Sequence, residues 1–313
     1  KKGFSVVNIV GLAIGMAAAL LILTYVAFEY SYDDMHSRQD RIFRVEARFY
    51  ENGELTDDWA SSSAGYATAM KQNMSAVEAY TRVGSQYYPE QVVKYNELLY
   101  RETGIGYAEA NFFDFFDFKL LKGNKESCLD GPNKVVITER IARKYFKGAD
   151  PIGKILIFRS NIGEEACEVT GIMEDMPINT HIRYNLLISY KTLPKWMDEY
   201  WYRHEVYSYV LLKSANLKTQ VEEDFPVMAE KYKTEEALKN KTWAIQLTNL
   251  RDIHLNPQKA YEPEVKGNRS SIWVLICTAL AILCIAWINY INMTVARSME
   301  RAKEIGIRRA SGA

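Results

Sequence analysis

Gly148, Gly153 and Lys154 spell G-x-x-x-x-G-K, the opening of a loop that cradles phosphates. That chemistry needs Ser or Thr next, to hold magnesium, and then a helix whose first amides face the phosphates. Ile155 stands there instead and a strand-like run follows, so the match carries no nucleotide chemistry. The four histidines, His36, His181, His204 and His254, lack the short spacing of metal ligands, and each reads as a hydrogen-bonded structural residue. No G-x-S-x-G is present and no cysteine neighbours a histidine, so nothing marks a nucleophile with its base. Cys128 and Cys167 could pair in an oxidising compartment, a point their spacing leaves open. The chain is expected to be non-catalytic, with no metal and no cofactor of its own.

The elements that carry these residues fall into membrane and non-membrane stretches. Phe4 to Phe28 contains no charge, and Ile272 to Ile291 is a second such run. A bilayer core needs roughly 20 apolar residues in helix, so both predict transmembrane spans. The first exceeds the apolar core of a signal peptide and no small-residue cleavage site follows it, which favours an uncleaved span. Lys1 and Lys2 precede the first span, while Arg297, Arg301, Lys303, Arg308 and Arg309 follow the second. Basic flanks stay in the cytoplasm, so residues 30–270 are expected outside it. Within the first span, Gly11 and Gly15 form G-x-x-x-G, extended by Ala19, a bare face on which another helix can pack.

Lys+Arg and Asp+Glu both number 39, so the formal charge is zero and a nucleic-acid partner is excluded. Hydrophobic residues at 48% and charged residues at 25% describe a folded chain. Between the spans, Arg41 to Tyr50 predicts a strand, Trp59 to Met74 a helix and Val77 to Gly84 a strand. The same order recurs as Tyr207–Lys213, Leu217–Tyr232 and Trp243–Leu250. Two β-α-β units predict a split, ferredoxin-like α+β sandwich. The insertion, residues 85–206, is strand-rich, with runs at Val135–Thr138, Lys154–Phe158 and Cys167–Met173. Asn111 to Leu121 predicts a buried helix with Phe112, Phe115 and Phe116 on one face.

Several stretches resemble MacB/FtsX-like ABC-transporter permeases. They are NIVGLAIGMAAALLILTYVAFEYSYDDMHSRQDRIFRV, ANFFDFFDFKLLKGN, VVITERIARKYFKGADPIGKIL, VTGIMEDMPINTHIRYNLLIS, LRDIHLNP and NYINMTVARSMERAKEIGIRRASGA. The resemblance covers nearly the whole chain. It implies span one at 1–29 and a periplasmic core domain at 30–270. That core would have a porter-like part at 41–84 and 207–255 and an inserted lobe at 85–206. Span two would follow at 271–295 and a cytoplasmic coupling helix at 296–313, which begins the FtsX-like permease domain. It further implies a multi-pass inner-membrane protein with four spans per half, so this chain is expected to be part of a longer polypeptide.

The resemblance implies as partners a cytoplasmic ABC ATPase subunit, which binds ATP and magnesium, a second permease half (a homodimer or a duplicated chain), and a periplasmic adaptor. Arg297, Glu300, Glu304, Ile305 and Arg308 would contact the ATPase; on residues alone, a plain basic anchor fits the segment as well. The expected function is a permease subunit that transmits ATPase movement to the periplasmic domain for efflux or extraction of substrate. The alternative is a two-span membrane receptor with an extracytoplasmic sensor domain.

Overall fold

The structure is a computed structural model and describes residues 2–84, 90–160, 163–204, 206–232, 238–264 and 266–312. The chain divides into two compact units, one of residues 1–31 with 267–313 and one of residues 32–266.

The first unit is a pair of helices, α1 (Lys2–Tyr30) and α6 (Arg269–Ala310). Each is long and apolar enough to cross a membrane. Asn268 caps α6 by accepting hydrogen bonds from the Ser270 and Ser271 amides. Buried positions recur every seven residues on both helices, at Ala19 and Val26 on α1 and at Ile272, Ala279 and Ala286 on α6. That spacing with small side chains is a close-packed helix seam. A Cβ added at Gly15 would sit 3.6 Å from Ile282 Cγ2, so Gly15 lies at this contact; a Cβ at Gly11 would meet nothing within 4 Å.

The sequence predicts a separate helix after residue 295, whereas α6 continues without a break to Ala310. Ala, Arg, Lys, Glu and Met dominate that stretch and sustain a helix despite Gly306. Arg297, Ile305 and Arg308 are exposed on it, while the side chains of Glu300 and Glu304 lie outside the described residues.

The second unit holds thirteen strands among the described residues, all in one sheet. Its two ends of chain build the expected β-α-β units. The first is β1 (Ile42–Glu51), α2 (Gly65–Asn73) and β3 (Val77–Gly84), with β2 (Glu54–Asp58) folded back on β1. The second is β12 (Val206–Leu212), α5 (Lys218–Ala229) and β13 (Lys241–Asn249). The strands interleave antiparallel in the order β13-β1-β12-β3. β12 is buried along its whole length, as its apolar run demands of a central strand. Phe43, Val45, Ala47 and Phe49 of β1 meet Tyr66 and Met70 of α2 and Val221 and Phe225 of α5 in one core.

The insertion supplies β4 (Glu90–Tyr95), β5 (Leu98–Thr103), β6 (Ile105–Ala108), α3 (Phe112–Phe115), β7 (Leu120–Lys122), β8 (Lys134–Thr138), α4 (Glu139–Phe146), β9 (Ile155–Ser160), β10 (Gly163–Met173) and β11 (Leu186–Ser189). It extends the same sheet rather than forming a second one: β6 joins β3 through the pairs Val83–Ala108 and Gly84–Tyr107. The order continues β6-β11-β8-β10-β9-β4-β5, with β7 on β10. Gly106 is required there, because a Cβ would fall 2.5 Å from Tyr184 Cε1.

Two expectations change in this lobe. The helix predicted over Asn111 to Leu121 stops at Phe115, where Phe116 turns extended. Phe112, Phe113, Phe115, Phe116 and Phe118 are all buried, and one helical face cannot cover that set. Kinking lets Phe112 stack on Phe118 at 5.5 Å instead. Cys128 and Cys167 are free thiols, each buried in a different core. Burial pushes them up to about 11 and about 12, so both are unreactive near neutral pH. The Gly148–Lys154 segment is a turn leading into β9, and no helix follows it.

The packing of the helix pair makes a discriminating expectation. Gly15→Leu forces atoms into the Ile282 contact and should lower the stability of the helix pair by about 1–3 kcal/mol. Gly11→Leu should leave it unchanged. Thermal unfolding of the detergent-solubilised variants reads the difference.

Candidate functional site

On β1 the apolar residues alternate with Arg44, Glu46 and Arg48, which point to the opposite face. Such a charged face normally meets water. Here the Arg44 side chain is 0% exposed and that of Glu46 1%. They are covered by the trailing segment of the domain, residues 254–264 with Lys266. Glu262 Oε1 accepts from Arg44 Nη1 at 2.6 Å, and Glu46 Oε1 accepts from Arg44 Nη2 at 2.6 Å. Lys259 Nζ reaches Glu46 at 2.9 Å and Asp58 at 2.6 Å, and Lys266 Nζ reaches Glu262 at 2.7 Å. Burial alone would lower the Arg44 guanidinium, but Glu46 and Glu262 overcome it and raise it. Burial likewise tends to raise the Glu46 carboxyl, yet Arg44 and Lys259 hold it below its usual range. Backbone bonds fasten the same segment: the Ala60 amide donates to Ala260 O at 2.9 Å and the Ala260 amide to Asp58 O at 3.2 Å.

The leading segment, Tyr32 to His36, is held by a second set of buried groups. Asp33 adopts a left-handed backbone, φ 60°, and its amide donates to Asn179 O at 2.9 Å. Its carboxylate accepts from Thr180 Oγ1 at 2.5 Å and lies 2.7 Å from His181 Nδ1. His181 Nε2 in turn lies 2.9 Å from Tyr209 Oη. Burial on its own would raise the Asp33 carboxyl; the His181 ring and Thr180 donor hold it low. With a carboxylate on Nδ1, that nitrogen carries a proton toward Asp33, and Nε2 faces the Tyr209 hydroxyl. Tyr32 stacks on His254 of the trailing segment, with centroids 3.4 Å apart. His36 Nδ1 accepts from the Asp117 amide at 3.1 Å, and burial drives this imidazole down to about 4.

Both segments converge on one strand. Tyr209 of β12 takes the leading segment through His181, and Tyr207, two residues earlier on the same face, donates to Tyr261 O at 2.7 Å. The order Asp33–His181–Tyr209 resembles a catalytic relay, but its last oxygen is sealed in the core and burial pushes that phenol far up. The arrangement holds chain; it has no nucleophile to offer. Among the described residues no cluster of three His, Cys, Asp or Glu side chains could hold a metal ion.

None of the packing and coupling residues predicted from sequence lies in this network, although His36 and His181, read as hydrogen-bonded structural residues, do. Gly11, Gly15 and Ala19 are on α1, and Arg297, Glu300, Glu304, Ile305 and Arg308 are on α6. Sequence reasoning missed Asp33, Arg44, Glu46, Tyr209 and Glu262. The available signal was the charge at every second position of β1, but its partner Glu262 lies 218 residues from Arg44.

The model of the MacB-like periplasmic core domain family matches residues 5–226, which include Asp33, Arg44, His181 and Tyr209. No curated protein matches the chain. A domain ascribed to a permease protein of Porphyromonas gingivalis is 23% identical over 74% of this chain and 96% of that one, with a TM-score of 0.61. The extracellular domain of the noncanonic ABC-type transporter YknZ from Gram-positive bacteria is 16% identical, over 66% of this chain and 100% of that one, TM-score 0.45. The periplasmic region of MacB from Actinobacillus actinomycetemcomitans is 14% identical, over 63% and 87%, TM-score 0.42.

Removing one member of a buried ion network strands the rest. Glu262→Gln and Arg44→Met should each destabilise the domain by about 3 kcal/mol. The double variant should cost less than the sum, because the second change removes a charge that the first left unpaired. Denaturant unfolding of the chain in detergent checks both.

Proposed function

Because this chain belongs to the MacB-like periplasmic core domain family, we propose that it carries mechanical work in the permease of an ABC-type transporter. The periplasmic domain and its two flanking apolar helices accord with an inner-membrane protein, and the family works with an ATPase partner in general. In our reading, closure of a cytoplasmic ATPase subunit, which binds the ATP and magnesium, is passed along the helices to the domain for efflux or extraction of a substrate. A second permease half would complete the assembly, with a periplasmic adaptor as a further partner.

One observation carries the reading: both ends of the domain are fastened to its central strand. Asp33 follows the last residue of α1 by three positions and Lys266 precedes the first of α6 by three, and both belong to buried networks that end on β1 and β12. A displacement delivered at either end therefore moves the sheet rather than a slack linker. Family membership supports this over a two-span receptor.

Two measurements test it. A cysteine placed at the exposed Asn216 should react with an impermeant thiol reagent in spheroplasts, and one at Ser298 should not; the native Cys128 and Cys167 thiols are buried and add little background. The reverse labelling would defeat the orientation. For coupling, Arg297, Glu300, Glu304, Ile305 and Arg308 would form the ATPase contact. Glu304→Lys and Ile305→Asp should then abolish substrate-stimulated ATP hydrolysis of the reconstituted complex, while the outer domain still folds. Stimulation that survives both substitutions would reduce this stretch of α6 to a topological anchor.

A further inference from the structure

Every carboxylate of the trailing segment except one is matched by a close cation. Glu262 has Arg44 and Lys266, each within hydrogen-bond distance. Glu264, two residues on, has neither. Its side chain is 19% exposed, yet Oε1 is sealed from solvent and accepts no hydrogen bond. The nearest cation, Arg183 Nε, is 3.9 Å away. That guanidinium is already committed: Nε donates to Thr180 O at 3.2 Å, and Nη2 donates to Ile178 O and lies 3.4 Å from Tyr32 Oη. The other groups facing Glu264 are the carboxylates of Asp33 and Glu262, the Arg44 guanidinium and the Tyr184 phenol. Arg44 is spent on Glu46 and Glu262, so a negative charge at Glu264 would stand beside two carboxylates with no hydrogen bond to its sealed oxygen.

We propose that Glu264 is a proton-operated lock: as the neutral acid it seats the Tyr261–Glu264 segment on the domain, and as the carboxylate it loosens that segment. A sealed oxygen without a donor suits an acid that carries its own proton and not an ion. The direction of the pH effect follows. Burial, opposed by Arg183 and aided by Asp33 and Glu262, pushes the seated carboxyl up to about 8 from its ordinary 4.5. Between those values the seated form holds a proton that the open form releases, so opening becomes easier as pH rises. The slope is roughly tenfold per pH unit, and it levels off above the upper value. The lock is a property of the domain and stands whether or not the chain couples to an ATPase.

Trypsin reads the opening, because Lys259 and Lys266 are nearly buried, at 11% and 5% exposure, and must leave the domain to be cleaved. The full chain in detergent is digested from pH 6 to pH 9, with rates normalised to a peptide of the same sequence. Cleavage at both lysines should rise roughly tenfold per pH unit and plateau. Glu264→Gln, which keeps the neutral shape, should hold cleavage at its low-pH rate throughout. Arg183→Gln removes the stronger of the two cations that favour the ion, Arg44 being the other, and should move the plateau to higher pH, whereas Arg183→Lys should leave it in place. Infrared spectra should show a protonated-carboxyl band that disappears near pH 8 in the parent and is missing in Glu264→Gln. A flat pH profile in the parent, the same rise in Glu264→Gln, or no such band would overturn the proposal.

Discussion

A guanidinium taken out of water in a protein interior costs several kcal/mol unless carboxylates meet it with good geometry. Arg44 imposes that condition on this domain. Its own strand supplies Glu46, and the second carboxylate, Glu262, arrives from the far end of the domain. The chain after β13 must therefore return across the sheet and lie on the polar face of β1. Once it does, Lys259 finds Glu46 and Asp58, Ala260 bridges to Trp59, and Tyr261 meets Tyr207. At β1, one side of the sheet is covered by helices over an apolar core, and the polar positions of the other are covered by a strap of paired charges.

The leading segment obeys a related rule with different chemistry. Asp33 is buried as an anion because three donors surround it, the Thr180 hydroxyl and the His181 ring and amide. The histidine then needs a partner for its other nitrogen and finds Tyr209. Two networks, one of ion pairs and one of hydrogen bonds, thus end on neighbouring tyrosines of β12. The leading and trailing segments are the parts of the domain that continue in the chain toward α1 and α6. In the role proposed above, passing motion to the domain would require such fixing. The strand on which both networks end is buried throughout and hydrogen-bonded on both sides.

Much of this architecture was legible in the residues. The β-α-β halves announced themselves because Phe43, Val45, Ala47 and Phe49 alternate and the helical stretches between strands carry apolar faces. The two long apolar helices needed only length. What could not be read was the fate of a polar face: Arg44, Glu46 and Arg48 look like solvent contacts until a distant segment covers them. Local periodicity also misled at the phenylalanine run, since burial of five rings was a tertiary demand that overrode helical propensity after Phe115. The merger of lobe and porter-like part into one sheet rests on two residue pairs between β3 and β6, too short a contact to leave a pattern. On the helix pair, Gly15 lies at the Ile282 contact and Ala19 is buried, whereas a side chain at Gly11 would meet nothing within 4 Å.

The central claim is that neither end of the domain is a hinge. Amide hydrogen exchange of the intact chain tests it at the Asp33 amide, bonded to Asn179 O, and the Ala260 amide, bonded to Asp58 O. Fixed ends should open only when the sheet opens, so both amides should be protected to the same degree as Val45 of β1 and Tyr209 of β12. If Asp33 and Ala260 exchange about a hundredfold faster or more than those strand amides, the ends open on their own, and the sheet cannot be driven through them.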